Sequence, residues 1–358
     1  SKNTGTLCQS GKLTSGIKYM RTKNLLPVVL LIGMSSCIDD LNIPLNTYRG
    51  NFETLWTIVD TRYCYLDLKK INWDSVYTVY EGRLVNDTVD EITFFDAMAE
   101  MLAELKDGHV NLYSSFDRSR YWNWFTDYPT NFNESLIFNE NYLSNDYRSV
   151  NGLRYKSIAG GKVGYIYYES FGSGFSDANM SYIFQQFVSC ENGLIIDVRN
   201  NGGGSADLSG RLASYFFERD TVNMYLQHKN GPGHNDFSEP VPMKTPAHKT
   251  IRWTRPVVVL ANRASYSATN LFVSRMRDAP KAIIMGDKSG GGGGMPLSNE
   301  LPNGWMVRFS ASPMYDGSMQ HIEFGIDPDI KVDLDSADVA KGEDTLIERA
   351  VSYLINGN

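Results

Sequence analysis

Residues 193–205 read GLIIDVRNNGGGS. Gly193–Val198 form the near-continuous apolar run of a strand covered on both faces. The glycines of 202–204 let a backbone turn sharply and aim N–H groups at a ligand. The residues after them, 206–218, carry a helical pattern. Strand, loop and helix in this order make one unit of an α/β layer. The same texture extends outward. Val163–Phe171 reads as a strand and Asn179–Val188 as a helix. Pro256–Ala261 (PVVVLA) is a second buried strand leading into a helix over 267–279, and strand Ala282–Met285 precedes five consecutive glycines, 290–294. The fold class is therefore α/β, with its layered core over 161–358.

Upstream the pattern is helical. Phe52, Leu55, Trp56, Val59 and Tyr63 recur at helical spacing, residues 74–84 suggest a second helix, and Asp90 is placed to cap a third whose face holds Phe95, Met98, Leu102 and Leu105. Residues 38–112 read as a small N-terminal helical domain. Residues 113–160 read as an irregular connector with two short strands.

Residues 1–37 read as a leader. Arg21 and Lys23, the apolar run 25–34 and Ser35–Ser36 before Cys37 give the basic, apolar, small-residue order of a secretory signal. The run is shorter than the ~20 residues of a membrane span. Cys37 after the small pair resembles a bacterial lipoprotein cleavage site, where the cysteine is acylated and tethers the chain to a membrane. Asp39–Asp40 resemble the acidic export tag of surface lipoproteins. Residues 1–19 carry no hydrophobic period and read as a misassigned start. The expected address is the cell envelope, with the outer membrane favoured.

The whole chain carries a net charge of −7, and without residues 1–36 it carries −12. With no basic block, it has no electrostatic footprint for nucleic acid. Of four cysteines, Cys64 and Cys190 read as buried free thiols. No cysteine or histidine cluster has metal-ligand spacing, and no cofactor is expected.

Three loops end predicted elements: LKDGHVNL (105–112), DVRNNGGGS (197–205) and ANRASYSATNLF (261–272). Ser267 sits at a strand-to-helix junction, where a hydroxyl is exposed in the positive potential of a helix start. Singly, each has a plain structural explanation: a tight turn, a helix cap, a surface histidine. In fixed order, and joined by the GD…GGG loop after Met285 and by EFGIDPDI (323–330), they resemble the tail-specific (C-terminal processing) serine peptidases, in the tricorn-core-like branch.

The resemblance implies a ClpP/crotonase-like layered α/β core behind a helical domain. It also implies a peptide or protein substrate. It makes Ser267 the nucleophile, His109 the general base and Glu323 the residue that orients the histidine. The N–H of Gly202 or Gly203, with that of Ala268, would hold the oxyanion. Many members use a lysine where this chain has Gly292, and Lys288 is out of register, so the histidine branch is implied. Gly108 stands where tricorn has a serine. Residues 113–160 are too few for a PDZ module. The alternative function is a catalytically silent surface binder of the same fold. His228, His234 and His248 read as surface or structural, as does His321, which is also the reserve base, and Asp197 and Arg199 read as supports of the glycine loop.

Overall fold

Thr47 accepts the Gly50 N–H through its hydroxyl and starts α1 (Tyr48–Arg62), which leads to α2 (Trp73–Leu84). Asp90 accepts from the N–H groups of Ile92 and Thr93 and so caps α3 (Glu91–Ala103), the capping role expected of an N-terminal aspartate. The computed structural model describes residues 44–84 and 89–357; Cys37 and the leader lie outside the described residues.

After α3 come β1 (Asn111–Tyr113), the short helices α4 (Asn123–Thr126) and α5 (Glu134–Ile137), and strands β2 (Arg148–Val150), β3 (Leu153–Ile158) and β4 (Val163–Tyr168). The core continues through α6 (Asp177–Gln186), β5 (Gly193–Asp197), α7 (Ala206–Ser214), β6 (Thr221–Leu226), β7 (Val241–Thr245), β8 (Val257–Ala261), α8 (Ala268–Met276) and β9 (Ala282–Gly286). It closes with β10 (Gly294–Glu300), β11 (Met306–Asp316), β12 (Ile330–Lys331), α9 (Ser336–Ala340) and α10 (Thr345–Asn356).

Seven strands form one sheet in the order β12-β9-β8-β5-β4-β3-β2. Its centre is parallel, and the β2–β3 hairpin adds an antiparallel edge. β5 and β8 are buried along their whole length. One face packs with α6, α7 and α8, and the other with α5 and α10, as a doubly covered parallel sheet requires. α7 stops at Ser214 rather than 218, and β4 stops at Tyr168 rather than 171.

A second, antiparallel sheet, β1-β11-β6-β7 with β10 on β11, is absent from the sequence expectation. The helices α1–α3 do not stand apart from it. Phe52, Leu55, Phe94, Met98 and Leu102 share one buried cluster with Trp305, Val307 and Phe309. The described residues from 44 onward accordingly cluster as one unit.

Arg199, at the end of β5, is fully buried. Its guanidinium lies 2.6 Å from Asp197 and 3.0 Å from Asp344, the cap of α10. It also donates to Asn131 O at 3.3 Å. The glycine loop, the connector and the C-terminal helix thus share one cation. Replacing Arg199 with leucine strands two buried carboxylates and should cost about 3–5 kcal/mol, read as a lower urea midpoint. Breaking the exposed Arg83–Glu100 pair should leave that midpoint almost unchanged.

Candidate active site

β8 ends at Ala261 and the chain turns twice before α8. Asn262 Oδ1 accepts the N–H groups of Asn200 and Ala264, and Ser265 Oγ donates to Val198 O. Tyr266 N–H donates to Asn201 O, and Thr269 Oγ1 donates to Asn201 Oδ1. The two loops at the ends of neighbouring strands β5 and β8 are thereby stitched together. On the other side Ser267 N–H donates to Gly291 O at 2.9 Å.

Between these ties Ser267 holds φ 57° and ψ −120°. A non-glycine residue enters that region only when its surroundings impose it. Ser267 occupies the cap position of α8, yet its side chain makes no capping bond. Its Oγ lies 2.9 Å from His109 Nε2. The plain explanation of this serine as a helix cap therefore fails, and an alcohol and an imidazole distant in sequence meet.

His109 is 3% exposed and is carried by the loop after α3. Asp107 Oδ1 accepts the His109 N–H at 2.8 Å, while Oδ2 accepts from Tyr63 OH and Ser310 Oγ, each at 2.9 Å. Burial pulls the imidazole down to about 4; Asp107 opposes this, while Arg308 and Lys69 reinforce it. The ring is neutral at ordinary pH, as a proton acceptor must be. It packs on Tyr266 with ring centroids 4.9 Å apart, and Trp124 of α4 stacks on Tyr266 at 4.0 Å. A methyl on Gly108 would come within 2.5 Å of Trp124 Nε1, so a side chain at 108 is incompatible with this aromatic cover.

Glu323 corrects the expectation that it touches the histidine. Its Oε1 lies 2.7 Å from Lys69 Nζ and its Oε2 accepts the Gly293 N–H at 2.9 Å. His109 Nδ1 is buried and is not bonded to Glu323; the Gly294 backbone is the polar group that favours the protonated ring. Burial pushes the Glu323 carboxyl up, Asp107 adds to the rise, and Lys69 offsets part of it. Lys69 and Asp107 belong to the site. Asp107 lies within the DGH triplet, but nothing in a loop lysine signals that it is buried.

Gly203 packs against the nucleophile: a methyl there would come 2.9 Å from Ser267 Cβ and 3.0 Å from Ala268 N. Its own N–H, however, is given to Asn201 Oδ1 at 3.0 Å, which removes it from the oxyanion donors. Among the described residues, the N–H groups of Gly202 and Ala268 have no protein acceptor. Gly292 holds φ 76°, and a methyl there would come 2.5 Å from the Tyr266 ring, so no side chain fits at that position. Lys288 lies out at Asp327. His321 packs on Tyr65 and Tyr315 and makes no contact with Ser267. Cys64 and Cys190 are buried free thiols.

A hydroxyl beside a neutral, buried imidazole at a strained strand-to-helix turn defines a hydrolase of the serine-nucleophile class. Residues 162–332 match Peptidase family S41, and residues 44–103 match the tricorn protease C1 domain. A candidate peptidase of Parabacteroides merdae ATCC 43184 is 49% identical, covers 88% of this chain and 98% of its own, and superposes with a TM-score of 0.83. The chain belongs to peptidase family S41. It is 28% identical to the carboxy-terminal processing protease CtpA of Bacillus subtilis over 144 residues, which are 40% of this chain and 29% of that protein. The chain spans roughly a third of the length of the curated relatives it matches. Mature CPAF, solved with lactacystin, shares the fold at 12% identity, with a TM-score of 0.67 and coverage of 87% of this chain and 99% of that one.

The buried imidazole sets a pH expectation. Attack needs the unprotonated ring, and a lowered pKa keeps it unprotonated further into acid. The acid limb of Ser267 acylation by a fluorophosphonate should therefore fall below pH 6 instead of near the ordinary value of ~6.5, as read from labelling rates across pH.

Proposed function

We propose that the chain is a serine peptidase that cleaves peptide bonds through an acyl-enzyme on Ser267. The observation that carries this reading is the 2.9 Å approach of His109 Nε2 to Ser267 Oγ. In the reaction, Ser267 Oγ bonds to the substrate carbonyl carbon while its proton passes to His109 Nε2. The N–H groups of Gly202 and Ala268 receive the oxyanion. Removing one such donor typically costs 10²–10³ in rate. The imidazolium then gives its proton to the leaving amine as the C–N bond breaks. Water, deprotonated by the same ring, releases the acyl group and restores the hydroxyl.

Glu323 acts in this scheme as part of the buried charge cluster around Lys69 and not as a hydrogen-bonding partner of the imidazole. Residues 113–160, with two short helices and a hairpin, offer no separate module for gripping a substrate tail. A peptide or an exposed chain terminus is therefore the substrate class that this reading favours. The basic, apolar, small-residue order before Cys37 supports an envelope location with a lipid tether at that cysteine. The acidic body supports no nucleic-acid partner.

Ser267→Ala should abolish fluorophosphonate labelling and lower peptide hydrolysis by about 10⁴-fold or more, with an unchanged melting temperature. An unlabelled, folded wild type would instead leave a silent binder. Cys37→Ser should lose incorporation of an alkynyl fatty acid and move the protein from the membrane to the soluble fraction. Retention of both label and fractionation would end the lipoprotein reading.

A further inference from the structure

Lys69 lies in the connection between α1 and α2, where a lysine ordinarily reaches into water. Here its side chain is 7% exposed. Its ammonium lies 2.7 Å from Glu323 Oε1 and 3.5 Å from Asp107 Oδ2, and it donates to Leu105 O at 3.2 Å and Lys106 O at 3.3 Å. Those carbonyls belong to the loop that carries His109. Burying an ammonium is unfavourable unless its acceptors are in place, and this one has four. Two are carboxylates, and Asp107 holds the His109 backbone directly.

We propose that Lys69 is a positioning residue for the Ser267–His109 pair: its ammonium ties the His109 loop to Glu323 and, by offsetting the charge of Asp107, disfavours the protonated imidazole. The inference builds on His109 as the general base. Among the described residues, the charges that act on that ring are Asp107, Arg308 and Lys69, and burial keeps the nearby Cys64 thiol and Tyr65 phenol neutral. Asp107 lies on its own loop, Lys69 comes from the α1–α2 connection, and Arg308 comes from β11, with Nη1 3.5 Å from His109 O. Tyr266 faces the ring from the turn before α8. Tyr63 and Glu323 act through Asp107 and Lys69. Burial pushes the Tyr63 and Tyr266 phenols well up, so neither carries charge.

Burial works against the Lys69 ammonium, but Asp107 and Glu323 outweigh it and raise its pKa. Burial works against the Asp107 carboxylate too, and Lys69 with His109 outweighs it and lowers the pKa. Both groups are therefore ionised. Remove the ammonium and Asp107 faces the imidazole without its counter-ion. The protonated ring is then less disfavoured, and the pH below which the base is occupied moves up toward neutrality.

The test is a ¹³C NMR titration of the His109 ring in the full chain, with its resonance identified by its loss in His109→Gln. Lys69→Met should raise the His109 pKa by about one unit, and Lys69→Arg, which keeps the charge, should leave it near wild type. Should Lys69→Met fail to fold, Lys69→Gln, which can still donate to Leu105 O and Lys106 O, carries the same expectation. An unchanged His109 titration in the folded neutral variants overturns the proposal. So does a shift in Lys69→Arg as large as in the neutral variants, which would mean packing and not charge. The titration needs no turnover, so its outcome is independent of whether Ser267 reacts with substrate.

Discussion

Ser267 sits in a backbone conformation, φ 57° and ψ −120°, that a serine does not hold by preference. Such a residue costs on the order of 1–3 kcal/mol, and the turn persists because it is over-determined. Asn201 and Asn262 spend their side chains on the neighbouring loop, Ser265 bonds Val198 O, and Gly291 O takes the Ser267 N–H. These ties need β5 and β8 side by side and in register, with Asp197 opposite Leu260. They also need the glycine run to pass close: a methyl on Gly291 would fall 1.9 Å from Glu323 O. The parallel sheet, the asparagine stitching and the glycine run serve one end. They present a hydroxyl at the start of α8 without letting it fold back as a cap.

The imidazole reaches that hydroxyl from a different layer. α1–α3 pack on β11 through Phe94, Met98, Trp305 and Phe309, and β11 also supplies Ser310 to Asp107. The second sheet is thus the bridge between the two halves of the catalytic pair. If it shifted, His109 and Ser267 would part even though each local loop stayed intact. This explains why the helical segment shares its hydrophobic cluster with β11.

What the sequence disclosed follows from the kind of signal each part leaves. β5 and β8 are apolar along their length because both faces are covered, and they were legible. So was the cap at Asp90. The antiparallel sheet was not. β7, β10 and β11 contain Pro242, Pro296 and Pro313, and register shifts interrupt β6–β7 and β10–β11. Proline and bulges erase the alternation by which a strand is recognised. Ser267 and His109 were found through motif order and not through any single pattern. Lys69 and the true partner of Glu323 were invisible because burial of a charge is a tertiary fact: an isolated lysine reads the same in a loop whether water or two carboxylates surround it.

The charge arrangement resolves a conflict built into a buried base. Desolvation keeps the imidazole neutral, which favours readiness but weakens its hold on the proton it must accept. Asp107 works in the opposite sense, because its carboxylate stabilises the imidazolium as it forms. Unscreened, that same carboxylate would hold a proton on the ring up to a higher pH. An ammonium 3.5 Å from Asp107 moderates the attraction, and Glu323 holds that ammonium in place at 2.7 Å. In this geometry Glu323 acts on the histidine at one remove: it anchors the cation that tempers the histidine's nearer neighbour.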